Sequence, residues 1–179
     1  MQKKNYQEEI LNLIHSGLPQ QELAERLSDY HENDLADALA ALTPDERQKL
    51  YAVLGVERVA EIFSYLDDAE PYLKELPSEK AAKVVSNMDS DDAVDVLDDL
   101  EEEDKDKIVK QLDQDSAEDV RMLLSYGEDE IGSSMTTNYI CIRKDMTIRQ
   151  AMSELVKQAG ENDNISTLYV VDKEAKFYG

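Results

Sequence analysis

Large apolar residues close successive units of this chain at a nearly constant interval. Leu42, Leu54, Leu66, Leu76, Met88, Leu100, Leu112 and Leu124 are separated by 12, 12, 10, 12, 12, 12 and 12 residues. Within the clearest units the apolar positions also recur at helical spacing: Ala81, Val84, Val85 and Met88, then Ala93, Val96, Leu97 and Leu100. Residues that start helices follow each closing position, as in "LTPDE" (Leu42–Glu46), "LPSEK" (Leu76–Lys80) and "MDSDD" (Met88–Asp92). Thr, Ser or Asp can accept from the unpaired N–H groups there, and Pro tolerates the first turn. Each unit thus reads as a short helix and a tight turn. Isolated helices below about 12–15 residues are marginal in water, so the units must stack and bury a shared seam. The expected form is a mainly α, short-helix superhelix, preceded by helices near residues 4–15 and 19–29.

The charge is strongly one-sided. The chain carries 41 acidic and 19 basic residues, a formal net charge of −22. Residues 1–130 hold 35 acids and 13 bases, whereas residues 131–179 hold 6 of each. That change coincides with the glycine-containing stretch "SYGEDEIGSSMTT" and places a domain boundary near residue 130, giving domains 1–130 and 131–179. A field of this sign repels nucleic acid and anionic lipid and concentrates cations. The acid peaks in "DSDDAVDVLDDLEEED", Asp89 to Asp104, with ten carboxylates in sixteen residues and no Lys or Arg.

After residue 135 the period changes. "NYICI" (138–142) reads as a strand, "TIRQAMSELVKQA" (147–159) as a helix capped by Thr147, and "STLYVVD" (166–172) as a second strand. A turn at 173–175 leads into a third strand at "KFYG". The order β-α-β-β makes an incomplete α/β domain whose few strands would leave open edges, so further sheet is expected beyond residue 179.

No enzyme signature stands out. There is no GxGxxG or P-loop, and His15 and His31 are not spaced with carboxylates as a zinc site; His31 precedes a helix start and reads as a cap. Cys141, the single cysteine, rules out an internal disulfide framework and reads as a small buried thiol within a strand. Apolar runs fall short of the eighteen or so residues of a membrane helix, and the start lacks a signal-peptide apolar region, so the chain reads as soluble.

The stretches "HENDLADALAALTPDERQKLYAVL" and "LLSYGEDEIGSSMTTNYICIRKDMTIRQAM", with the acidic repeats between them, resemble the cytosolic start of the MgtE family of magnesium transporters and channels. "MTTNYICI", "MTIRQAMSEL" and "LYVVD" resemble that family's first CBS domain, in order. The resemblance implies a homodimeric Mg²⁺-selective pore in which this chain is the front of a regulatory region. Its partners would be its own remaining CBS and transmembrane domains on the cytoplasmic side of the membrane. Mg²⁺ bridging acidic faces would favour the closed pore. CBS domains also bind adenine nucleotides, and in this family ATP stacks on an aromatic; the matching position here is Thr167, with Tyr169 nearby as a substitute or a core residue.

The acid fits that reading. At 100° per residue Asp91, Asp95 and Asp98 share one face of a helix, opposite Ala93, Val96, Leu97 and Leu100. Like charges at i,i+4 repel by a few tenths of a kcal/mol per pair, about 0.2–0.5. A divalent cation shared with a second acidic surface would remove that repulsion, and Mg²⁺ takes one or two carboxylates while keeping several waters. The resemblance carries the metal contacts onto Asp91, Asp95 and Glu61, and onto Ser133 through its main-chain carbonyl, while Asp92, Asp98 and Asp99 set the field. The alternative is a protein–protein module of the flagellar-motor-switch type, indifferent to Mg²⁺.

Overall fold

The computed structural model describes residues 6–127, 129–160 and 167–179, the side chain of Ser134 excepted. The twelve-residue period becomes a run of short helices: α1 (Tyr6–Ile14), α2 (Gln20–Leu27), α3 (Glu32–Leu39), α4 (Pro44–Leu54), α5 (Val56–Phe63), α6 (Glu70–Lys74), α7 (Ser78–Val85), α8 (Ser90–Asp98), α9 (Glu102–Val109) and α10 (Gln114–Leu123). The first two begin slightly inside the expected spans, and residues 4–5 of the first lie outside the described residues. The shortened step between Leu66 and Leu76 is α6, five residues long. All eight closing residues are in the core or packed against it.

Because the turns are tight, each helix rests mainly on its second neighbour. α1 packs on α3, α3 on α5, α5 on α7 and α7 on α9, while α2 packs on α4 and α8 on α10. The seam between these layers is aliphatic, with Leu27, Leu35, Leu39, Ile62, Phe63 and Leu97 almost wholly removed from solvent. Burying each such side chain contributes about 1.5–3 kcal/mol. Gly55, at φ +81°, ends α4 in a conformation open chiefly to glycine, so α5 starts at the next residue.

Among the described residues one charged side chain, that of Arg47, is buried in this core. The Arg47 guanidinium donates from Nη1 to the carbonyls of Leu39 (3.0 Å) and Leu42, and from Nε to Glu75 at 2.9 Å, with Nη2 on the other Glu75 oxygen. It also lies over the Tyr72 ring, 5.2 Å from its centre. A buried guanidinium needs such matching, since removing an unpaired charge from water is very costly. Arg47 therefore fastens the end of α3 and the start of α4 to the turn before α7.

The second region opens with a 3₁₀ turn (Ile131–Ser134), then β1 (Ile140–Arg143), α11 (Ile148–Gln158) and β2 (Leu168–Val171). The expected second strand begins at Ser166, outside the described residues. β1 and β2 pair in parallel, Ile140 opposite Leu168 through Arg143 opposite Val171, with α11 as the crossover that parallel pairing requires. Where a third strand is expected, Phe177 makes an isolated antiparallel bridge to Val171, and the described sheet has two strands. Thr147 and Gln150 form a reciprocal cap on α11. Cys141 is half-buried, because the space above β1 is shared with Gln158, whose side-chain amide pairs with both the N–H and the carbonyl of Cys141.

Candidate cation site

α8 turns as its periodicity requires. Ala93, Val94, Val96 and Leu97 are buried, Asp95, Asp98 and Asp99 face solvent, and Asp91 and Asp92 are half-buried. The carboxylates then divide by their partners. Asp98 accepts a hydrogen bond from Lys105 of α9, and Lys107 lies 3.0 Å from Glu103 and 2.9 Å from Asp104. Lys74 adds a longer contact of 3.7 Å to Asp104. The far end of the acidic run is thus offset by bases from its own fold. Asp91 and Asp95 have no such neighbour among the described residues.

Both show the strain of that isolation. The Oδ1 atom of Asp91 is buried with no hydrogen-bond partner. An unmatched buried acceptor costs about 1–3 kcal/mol, more when charged. Although its side chain reaches solvent, the Asp95 carboxyl is held above the usual carboxylate range, first by partial desolvation against the helix surface and then by the charges of Asp91, Asp98 and Asp99. Two oxygen donors, one orphaned and one repelled, are what a hard cation such as Mg²⁺ or Ca²⁺ would relieve.

Glu61 stands elsewhere. It lies on α5 and lines a cleft of about 440 Å³ with Glu57 of the same helix and with Asp89 and Asp92 at the start of α8. Asn138 and Gly160 of the second region close it. The structure therefore groups Asp91 with Asp95, and Glu61 with Asp89 and Asp92. Asp92 is a cleft carboxylate as well as a source of field, and sequence reasoning did not pair it with Glu61 because the two are on separate helices. Ser133 is half-buried in the 3₁₀ turn, its Oγ donating to the Glu130 carbonyl at 2.8 Å. Among the described residues no three His, Cys, Asp or Glu side chains converge to hold a metal by themselves.

The start of α8 is also where the two regions are joined. Asp89 occupies the cap position without a side-chain cap bond, and the N–H of Ser90 instead donates to Asn138 Oδ1 at 2.8 Å. Ser90 Oγ accepts from the Thr137 N–H at 2.9 Å and donates to the Thr137 hydroxyl oxygen at the same distance, while that hydroxyl gives its own proton to Asp119 Oδ2 on α10 at 2.8 Å. The second region thereby supplies the cap of the acidic helix. Nearby, Gly132 lies so close under Tyr126 that a Cβ would sit 2.4 Å from its ring. Thr167 is exposed, and Tyr169 packs edge-on against Tyr139 (5.5 Å) and Phe177 (6.3 Å) while remaining partly exposed, so it is a member of an aromatic cluster and not a core tyrosine.

Among the described residues no helix is long and apolar enough to cross a membrane. Residues 129–179 match the CBS domain family and residues 30–129 match the MgtE intracellular N domain. The chain is 40% identical over 143 residues to the magnesium transporter MgtE of Enterococcus faecalis, covering 78% of this chain and 32% of that protein. It is 35% identical over 60 residues to the magnesium transporter MgtE of Thermus thermophilus, covering 34% of this chain and 13% of that one. The chain thus spans a third or less of these relatives. Among solved structures, the soluble part of a magnesium transporter superposes with a TM-score of 0.89 at 29% identity, covering 97% of this chain and 70% of that one. The cytosolic domain of the Mg²⁺ channel MgtE, solved with ATP, gives 0.77 at 28% identity, covering 97% and 71%. With residues 30–129, more than half of its length, matched by the MgtE intracellular N domain and residues 129–179 by a CBS domain, this chain belongs to the MgtE family.

Proposed function

We propose that this chain is the front part of a cytosolic, Mg²⁺-sensing regulatory region of a magnesium transporter or channel, with no enzymatic role. Domains 1–130 and 131–179 are its two modules, and the intact protein is a homodimer anchored through membrane segments outside this sequence. The unpartnered Oδ1 of Asp91 carries the reading, beside an Asp95 whose carboxyl burial and like charges hold up. Asp91 and Asp95 would hold Mg²⁺ against carboxylates of another module, with Glu61 and the Ser133 carbonyl as further contacts. When those acidic faces share the ion their repulsion is removed and the closed pore is favoured; without it they separate. Matches to both regions of the chain favour this over a motor-switch-like docking module.

The test is small-angle scattering on the complete cytosolic region during an Mg²⁺ titration at fixed ionic strength, alongside Asp91→Ala/Asp95→Ala. Compaction in the wild type, shifted to higher Mg²⁺ in the double variant, is expected. An unchanged radius of gyration across the titration would sink the sensing role and leave the family assignment intact.

A further inference from the structure

α5 separates two unlike surfaces. Glu57, Glu61 and Ser64 face the acidic cleft, whereas Val56 and Val59 face a groove of about 580 Å³ between α4, α5 and α7. That volume is within the usual range of small-molecule sites, about 300–1,000 Å³. Tyr51, Leu76, Pro77 and Val84 continue its apolar surface, and Lys74, Lys80 and Lys83 line it as well. In a chain of net charge −22, three lysines on one groove are a local reversal of field. The groove's one acid, Glu75, is already neutralised by its two-pronged contact with Arg47. Lys74 and Lys83 pair with Glu70 (2.7 Å) and Glu79 (2.9 Å) one helical turn away, exposed contacts of the kind that are weak. Lys80 has no carboxylate within ion-pairing distance among the described residues. Tyr51 also keeps a buried hydroxyl with no hydrogen-bond partner.

We propose that this groove binds a small organic anion: a carboxylate or comparable acid group on a compact apolar body. The body lies on Val56, Val59 and Val84, and the acid group is held by the lysines, chiefly Lys80. Charge complementarity selects the ligand, because the excess acid of residues 1–130 repels anions elsewhere on this region, whereas the groove joins three lysines to an apolar floor. A small ligand is favoured over an acidic peptide by Glu79, Glu70 and Asp104 near the lysines, which would repel a chain of carboxylates.

The experiment uses the chain with ¹³C-labelled valine methyls and two probes, 1-naphthoate and the neutral 1-naphthalenemethanol. Naphthoate is expected to shift the methyls of Val56, Val59 and Val84 in a saturable way, and to leave Val156 on α11 unmoved. Lys80→Glu, a substitution at an exposed position that leaves the core untouched, should weaken it about tenfold, the scale of one charge-assisted contact. Lys110→Glu, a charge change of the same size at the C-terminal cap of α9, should leave it unchanged. The proposal is overturned if the alcohol binds as tightly as the acid, if Lys110→Glu weakens binding as much as Lys80→Glu, or if Val156 responds with the groove valines. It is equally overturned if a Glu-rich decapeptide shifts the same methyls at lower concentration than naphthoate, which would make the groove a protein-docking surface.

Discussion

α8 and α11 are both short amphipathic helices, yet they end in opposite situations. α8 has buried its apolar face in the common core, packed against α10, while α11 has no buried residue, with Ile148 85% and Val156 70% exposed. The same holds for their surroundings: among the described residues of the second region Ile140 is the buried hydrophobic, against a continuous seam in the first. Amphipathic spacing specifies a face to be buried and leaves open what buries it. In the repeat region the answer is the second-neighbour helix. In the α/β region the described residues do not provide one.

The contrast predicts a wide gap in mutational cost. Leu97→Ala should destabilise the chain by about 3–5 kcal/mol, because its side chain is fully enclosed and the site cannot collapse freely. Arg47→Ala should cost a similar amount, about 3–5 kcal/mol, by leaving Glu75 half-buried and unmatched. Ile148→Ala on α11 should fall within about 0.5 kcal/mol of wild type. Urea unfolding of the three variants checks this. A cost at Ile148 comparable to that at Leu97 would mean that α11 is covered in solution and would break the comparison.

A middle-sized effect is expected where the regions meet. Ser90→Ala removes the acceptor used by the Thr137 N–H and the hydroxyl that donates to Thr137 Oγ1, at a cost of about 1–2 kcal/mol. Hydrogen exchange should quicken at residues 136–138 while the buried side of α8 stays protected. Uniform acceleration across α8–α10 instead would show that the joint supports the repeat fold itself. Gly132→Ala addresses the same joint from the other side: the added methyl requires Tyr126 to turn away, and the expected cost is about 1–3 kcal/mol, as for other overpacked sites.

How much of this was legible follows from where each interaction closes. The helical repeat, the cap at Thr147 and the inward face of α8 are local patterns, and each occupies the expected residues. Even the irregular step was informative, since it became the five-residue α6. The partners of the acid run were not legible. Lys105 lies seven residues from Asp98 across a turn, and Asn138 caps a helix that begins 48 residues earlier. The charge pattern located the acidic helix but could not say which carboxylates were already offset. Asp92 shows the same limit, because its grouping with Glu61 depends on how α5 and α8 pack.

The smallest effect separates the two halves of the acid run. Asp95 has its carboxyl raised by burial and by neighbouring charge, so the folded chain holds that proton more tightly than the unfolded chain does. Its contribution to stability is therefore unfavourable when it is ionised and fades as pH falls through its raised folded value towards the ordinary carboxylate range. Without divalent ions, Asp95→Asn should stabilise the chain at pH 7 by a few tenths of a kcal/mol, about the size of the i,i+4 repulsions it relieves. The gap should close on acidification. Asp98→Asn should do neither, because it gives up the Lys105 contact as it removes charge. In the complete regulatory region with Mg²⁺ the order should invert, Asp95→Asn becoming the less stable, since it would lose a ligand at the site we assign. Matched urea titrations at two pH values, with and without Mg²⁺, read both signs, and an Asp95→Asn variant less stable than wild type in the absence of the ion would contradict the picture of an uncompensated carboxylate.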